Sequence, residues 1–392
     1  MQDQGRKKMP TTRLKNTLYR FLLPFCAPGC GMHPVSGLSG HRIIYLRTFS
    51  RLIRRHHVLG SASLLSSGNH SALLFTSSSN PCHTAFPETY FRVASITKIA
   101  TAMLVMRLAD LGYLSPEDDA GSFFSDKDAQ SALSGISLFH LLSHTSGLVD
   151  PPDLESRLEN GVPFTCLFPA VRHDSPGRSF HYSNLGFGIV GSILESVLDK
   201  PLGEIYRQHL FGPLQMNATL EGCTLPPDRI MPVSRVLPWH KEKDLILTPL
   251  GSHPLRCPDP LRHYGHSAGS MYTDIRSLEK LLHVLTDDSS GFLSFHSGSL
   301  MKRTFASYGS LSPTLSYGLG LLRIDDPFIS DSPVYGHQGF AYGCADGAFW
   351  EESTGRILIF LNGGCSEARN GRLGTANRDF LRWAFRKELP SW

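Results

Sequence analysis

The stretch FRVASITKIATAMLVM, residues 91–106, decides how the rest of the chain is read. From Ser95 the sequence continues as SITKIATAMLVMRLADLGYL, apolar on nearly every side. Its length predicts a helix rather than a strand, and its lack of a polar face predicts a buried one. Ser95 stands at the start of that helix, with Lys98 one turn further on. A serine there can simply be an N-cap. That is the safer reading of the serine by itself; the nucleophile reading rests on N–H groups at a helix start that face a developing oxyanion and on a lysine one turn away that reaches the hydroxyl. Burial would also favour the uncharged amine that such chemistry needs.

Ser-x-x-Lys is short enough to occur about once by chance, and here it occurs three times, as SITK at 95, SLEK at 277 and SLMK at 299. SLEK lies in an amphipathic stretch beside Glu279, and SLMK follows a Gly/Ser loop; both read as solvated surface lysines. A rival serine appears in GHSAG, residues 265–269, which has the Gly-x-Ser-x-Gly form of an α/β-hydrolase elbow. Such an elbow follows a hydrophobic strand and opens directly into a helix. CPDPLRHY precedes this one, and the next helix signal begins only at Thr273-Asp274. Ser267 is therefore expected at a turn or at the edge of a cleft.

The chain of 392 residues, 41 % hydrophobic and 18 % charged, suits a globular protein with a sizeable core. Its eight cysteines are scattered without a C-x-x-C pair, so neither a disulfide scaffold nor zinc-ligand spacing is expected. Charge is unevenly placed: residues 1–57 hold eleven basic residues against Asp3 alone, and the remainder has 27 basic against 33 acidic. A basic start of this kind offers weak contact with an anionic membrane surface or a targeting receptor. Without an aromatic-rich basic face or motif, no nucleic-acid partner is expected. Cytoplasmic placement comes first, with export or organelle targeting through the basic start as alternatives.

Residues 46–57 have helical spacing, and SASLLSS and SALLFTS around Gly68-Asn69 read as a hairpin. Helix patterns follow at 136–143, 185–198 and 202–210, and 221–264 reads as a long surface excursion. Then 273–285 reads as a capped helix, YGLGLLRI, VYGHQGF, CADGAFWEE and RILIFLNGG as antiparallel strands, and ANRDFLRWAFRKEL as a closing helix. A lone hairpin is not a stable sheet, so it should pair with the C-terminal strands. The expected architecture is α+β: an antiparallel sheet flanked by helices, with a mostly helical inserted region. The expected divisions are a poorly ordered basic extension over 1–44 and one domain over 45–392. Within that domain the sheet region is 45–95 and 265–392, and the helical region is 96–264.

Two more segments bear on the chemistry. PGRSFHYSNLGFGIVGSILESV (176–197) places Tyr182-Ser183-Asn184 before a glycine-rich apolar helix. Tyr182 could relay a proton there and Asn184 offer an amide, although taken alone a packed aromatic at a helix entry is the preferred reading. In VYGHQGFAYG (334–343), His337-Gln338-Gly339 precedes a strand. Glycine would let that strand approach a substrate, and the histidine could bind an acid group or shuttle a proton.

Taken in order, FRVASITK, LLSHTSGL (141–148), PGRSFHYSNLG, GHSAGSMYTD and YGHQGFAYG resemble the serine β-lactamase-related family over roughly residues 48 to 387. That family includes class C β-lactamases, D-Ala-D-Ala carboxypeptidases, D-aminopeptidases and related esterases. The resemblance implies a β-lactamase/transpeptidase-like fold, an acylated Ser95, and proton transfer by Lys98 and Tyr182. It implies further that Asn184 contacts the substrate amide, that His337 and Gly339 line the opposite wall, and that the N–H groups of Ser95 and Phe340 form the oxyanion hole. Penicillin-hydrolysing members carry Lys-Thr-Gly where this chain has His-Gln-Gly. A mostly uncharged histidine would bind a carboxylate less well, so a small amide, peptide or ester fits better than a β-lactam. The alternative is a non-catalytic ligand-binding or sensor domain on the same scaffold. His140 and His144, four residues apart without an intervening H-E-x-x-H glutamate, are expected in core and capping roles rather than at a metal. No cofactor is expected.

Overall fold

A computed structural model of the chain describes residues 30–34, 41–67, 70–78, 83–168, 174–234, 255–307, 314–341 and 343–385. Hydrophobic stretches too apolar for one-sided burial form a central sheet covered on both faces. Strand β1 is Cys30–Pro34, β2 Ser61–Ser67 and β3 His70–Ser78. The C-terminal strands are β7 Ala306–Ser307, β8 Thr314–Tyr317, β9 Leu322–Asp325, β10 Val334–Ala341, β11 Cys344–Glu351 and β12 Ile357–Asn362. Their spatial order is β1-β3-β2-β12-β11-β10-β9-β8-β7, and the neighbouring pairs are antiparallel. The N-terminal hairpin thus joins the C-terminal strands through β2 and β12, from Ser66↔Ile357 to Ser61↔Asn362. β11 and β12 are buried along their whole length, as two-sided coverage demands.

One face is covered by helix α1 (His41–Arg55) and the closing helix, Thr375–Phe385. Phe49 lies 5.2 Å from Trp383 and 5.7 Å from Phe380, whose ring stacks 4.0 Å from Phe360 of β12. The basic residues Arg51, Arg54 and Arg55 of α1 stay exposed while Phe49, Leu52 and Ile53 are buried. This amphipathicity carries the helix back to His41, across the expected boundary at 44/45, and β1 also falls inside the expected extension. The rest of 1–44 lies outside the described residues.

Against the other face lie helix α2, Thr97–Asp110, and the helix Ile275–Thr286. The latter is capped by Asp274, whose side chain accepts from the Ser277 N–H. Eleven of the fourteen residues of α2 are buried, as its unbroken hydrophobicity predicts. Between these elements run α3 (Lys127–Leu133), α4 (Leu138–Leu142), α5 (Leu154–Glu159), α6 (Asn184–Leu198) and α7 (Leu202–Tyr206).

Three local readings change. YGLGLLRI is not one strand: β8 and β9 are separated at Gly318–Leu321, where Gly318 N–H donates to the Leu321 carbonyl. The pattern over 202–210 ends α7 at Tyr206 and continues as a π-helical turn over Arg207–Phe211. A small sheet of β4 (Phe91–Arg92), β6 (Tyr272–Thr273) and β5 (Ala218–Thr219) is too short for a periodic signal. Within the expected excursion, 235–254 lies outside the described residues.

Candidate active site

Ser95 occupies a 3-10 turn, Ala94–Ile96, that precedes α2. The helix is preceded by Ile96, which makes no side-chain capping bond, so Ser95 does not serve as an N-cap. The turn is tightly held. Ala94 has φ 46°, a conformation sparsely populated by non-glycine residues. Thr97 Oγ1 donates to the Ala94 carbonyl at 2.6 Å and accepts from Met271 N–H at 3.2 Å.

Lys98 is fully buried. Its Nζ donates to Ser95 Oγ at 3.1 Å, Asn184 Oδ1 at 2.8 Å and the Ala268 carbonyl at 2.9 Å. Burial pulls its pKa down to about 7, with the Asp150 charge acting in the opposite sense. The last two partners only accept. A neutral amine can satisfy both with its two N–H groups and leave its lone pair for the Ser95 hydroxyl proton.

The Ala268 carbonyl belongs to GHSAG. Gly265 has φ 100°, and His266–Gly269 forms one short helical turn, α8. Ser267 is fully buried, not at a cleft edge, and its Oγ donates to the Phe187 carbonyl at 2.7 Å. Helix α6 is glycine-rich because it packs here: a Cβ on Gly188 would lie 2.2 Å from Gly265 N, and one on Gly191 2.5 Å from Ser267 Oγ.

The first residue of α6 is Asn184, and Tyr182 stands just before the N-cap of that helix. Ser183 is its N-cap, accepting from Gly186 N–H at 2.9 Å. The Tyr182 ring centroid is 4.9 Å from Lys98 Nζ, and the ring lies 4.3 Å from the imidazole of His144. His144 is buried, with its ring also 5.0 Å from Phe187 and 4.7 Å from Tyr317. Its Nδ1 accepts from Ser183 N–H at 3.1 Å. His140 closes a capping box with Ser137. The two histidines thus take the core and capping roles expected of them. Among the described residues no His/Cys/Asp/Glu group is arranged to hold a metal.

His337 and Gly339, expected on the wall opposite Asn184, are enclosed in the strand that backs the Ser95 turn. His337 is only 3 % exposed. Its Nδ1 lies 2.7 Å from the Gln338 carbonyl, which can only accept, so this nitrogen carries the proton and Nε2 accepts from Tyr317 OH at 2.8 Å. Burial, reinforced by Lys98, pulls its pKa down to about 3. Gly339 is buried too, and a Cβ there would lie 2.4 Å from the Val93 carbonyl. The missing side chain lets β10 approach the turn that carries Ser95.

A cleft of about 320 Å³ opens beside Ser95, with Asn184 and Phe340 in its lining, Leu154, Glu155 and Leu158 from α5, and Arg92 and Arg369. The Arg369 guanidinium sits 4.0 Å from the Phe340 ring centroid. Ser95, Lys98, Tyr182 and Asn184 are therefore brought together, Phe340 reaches the cleft, and the His337 ring lies 6.2 Å from that of Tyr182. Sequence reasoning missed Asp150, the Ala268 carbonyl and the two arginines. Of these, only Asp150 left a trace, as the acid ending LLSHTSGLVD.

This sheet and this Ser-Lys-Tyr-Asn cluster define the class, the serine β-lactamase/transpeptidase fold. The Beta-lactamase family matches residues 76–350, and the chain belongs to that family, one of serine hydrolases. D-amino acid amidase from Ochrobactrum anthropi SV3 superimposes with a TM-score of 0.67 at 21 % identity, over 88 % of this chain and 98 % of that one. EstCE1, a hydrolase with promiscuous acyltransferase activity, gives 0.69 at 20 % identity over 88 % and 98 %. Esterase EstB of Burkholderia gladioli is 24 % identical over 74 % of this chain and 82 % of its own. Protein flp of Staphylococcus aureus is 30 % identical over 34 % of this chain, which spans only 28 % of that relative.

Proposed function

We propose that this protein hydrolyses a small amide, peptide or ester through an acyl-enzyme on Ser95, without a cofactor. The observation that carries the reading is the buried Lys98 amine, 3.1 Å from Ser95 Oγ, whose two hydrogens in the neutral form have the Asn184 Oδ1 and Ala268 carbonyl acceptors. In the first step Lys98, with Tyr182 as a relay, takes the Ser95 proton while Oγ bonds to the substrate carbonyl carbon. The oxyanion is received by the N–H groups of Ser95 and Phe340. As the C–N or C–O bond breaks, the same proton passes to the leaving amine or alcohol. Water, deprotonated by the same groups, then releases the acid and restores the serine. Asn184 presents its amide to the cleft.

The cleft, about 320 Å³, suits a compact acyl group. The neutral, internally bonded His337 supplies no cation for a β-lactam carboxylate, which supports amide or ester turnover over penicillin turnover, with Arg92 and Arg369 as the cations of the cleft lining. A panel of p-nitrophenyl esters, D-amino-acid amides, D-Ala-D-Ala peptides and nitrocefin tests this. Steady turnover of an ester or amide, abolished by Ser95→Ala, is expected. A single stoichiometric burst without release across the panel would instead make the chain a sensor on the same scaffold.

A further inference from the structure

One carboxylate ties together the segment that carries both Tyr182 and Asn184. Asp150 Oδ1 accepts from the Ser183 hydroxyl at 2.7 Å and the Leu185 N–H at 3.0 Å, and Oδ2 accepts from the Asn184 N–H at 2.8 Å. These donors form the start of α6, a helix of 15 residues whose N-terminal end carries partial positive charge. Asn184 in turn accepts from Lys98 Nζ, so the carboxylate stands one residue removed from the amine.

The surroundings of Lys98 make this placement consequential. Facing the amine are the Ser95 hydroxyl, the Asn184 amide, the Ala268 carbonyl and the rings of Tyr182 and Phe187. The Lys98 charge acts in turn on His144 and His337, and both are held in the neutral form chiefly by burial. Asp150 supplies the negative charge that opposes the effect of burial on Lys98. Without it, a lysine ammonium would share a buried site with the positive end of a helix.

We propose that Asp150 is a positioning residue that fixes Asn184 against Lys98 and sets how readily the Lys98 amine holds its proton. The inference deepens the hydrolase reading, which assigns Lys98 the Ser95 proton. It calls for an acid at this loop end even though the side chain contacts no reacting atom.

The test uses the full chain labelled with [ε-13C]lysine, the Lys98 signal being assigned by its loss in Lys98→Arg. Lys98 is titrated by NMR in the wild type, Asp150→Asn and Asp150→Ser, and folding is verified by circular dichroism. Ser183→Ala, which removes one hydrogen bond to Asp150 but keeps its charge, serves as the control. The rate of fluorophosphonate acylation is followed over the same pH range. The Lys98 midpoint should fall by about half a pH unit or more in the neutral variants, the pH profile of acylation should move with it, and Ser183→Ala should lose stability with its midpoint in place. An unmoved midpoint in a folded neutral variant overturns the proposal, as does an equal fall in Ser183→Ala. If the midpoint moves but the wild type is never acylated, the role of Asp150 stands and the hydrolase mechanism fails.

Discussion

The fully buried amine of Lys98 lies 3.1 Å from the hydroxyl oxygen of Ser95, one turn earlier in the chain. Desolvation brings this amine to a pKa of about 7, so it exchanges its proton at neutral pH. If the neutral amine is the base, acylation of Ser95 should rise as pH passes through about 7 and level off above it. Lys98→Ala should lower the acylation rate roughly 100-fold or more across that range. Timed labelling with a fluorophosphonate between pH 5 and 9 measures both.

The same group makes a stability prediction of fixed sign. Lys98 releases its proton near pH 7 when folded, against a reference of 10.5. The unfolded chain therefore binds more protons between those values, and stability from this group rises with pH across the window. Below about 7 the cost of burying the charge is felt in full. Replacing Lys98 by Met should thus help stability more, or harm it less, at pH 6 than at pH 10. Urea midpoints of both proteins at the two pH values check this.

Gly339→Ala tests the strand that backs the nucleophile. Its new Cβ would meet the Val93 carbonyl, a backbone atom that cannot swing away. The variant should lose about 1–3 kcal/mol of stability, and displacement of the Ser95 turn should slow acylation about tenfold or more. Denaturation and labelling rates report the two effects separately.

His337 and His144 should remain neutral from pH 5 to 8, since burial lowers both pKa values, that of His337 to about 3. Imidazole 15N shifts should stay constant over that range and show the His337 proton on Nδ1. A titration near pH 6.5 would return His337 to the charged, cleft-facing role.

Much of this site was legible because its signals are local. An apolar run as long as that after Ser95 has few folded outcomes, and a lysine one turn from a serine must come near it. Tyr182 and Asn184 could be assigned only by the ordered set of motifs, since nothing in YSN itself tells a relay from a packed ring. The burial of His337 and Gly339 was not legible because their surroundings are long-range. The partner of His337 is Tyr317, two strands away, and what crowds Gly339 is Val93. The extent of α1 was obscured for another reason: its basic face resembles an unstructured arm, while the aromatic partners of Phe49 come more than 300 residues later.

Ser267 illustrates the limit of a short motif. Its hydroxyl serves the Phe187 carbonyl, and its neighbour Ala268 lends a carbonyl to Lys98. Ser267→Ala should cost about 1 kcal/mol by removing a second hydrogen bond to a carbonyl inside α6 while Ser95 is still labelled. Thermal denaturation and labelling of the variant decide this.

The central claim, that Ser95 is the acylated nucleophile, is tested most directly by intact-mass measurement and peptide mapping after incubation with a fluorophosphonate. The account predicts a single adduct on the peptide containing Ser95, absent in Ser95→Ala and retained in Ser267→Ala. No adduct on the folded wild type, or one that survives in Ser95→Ala, would contradict it.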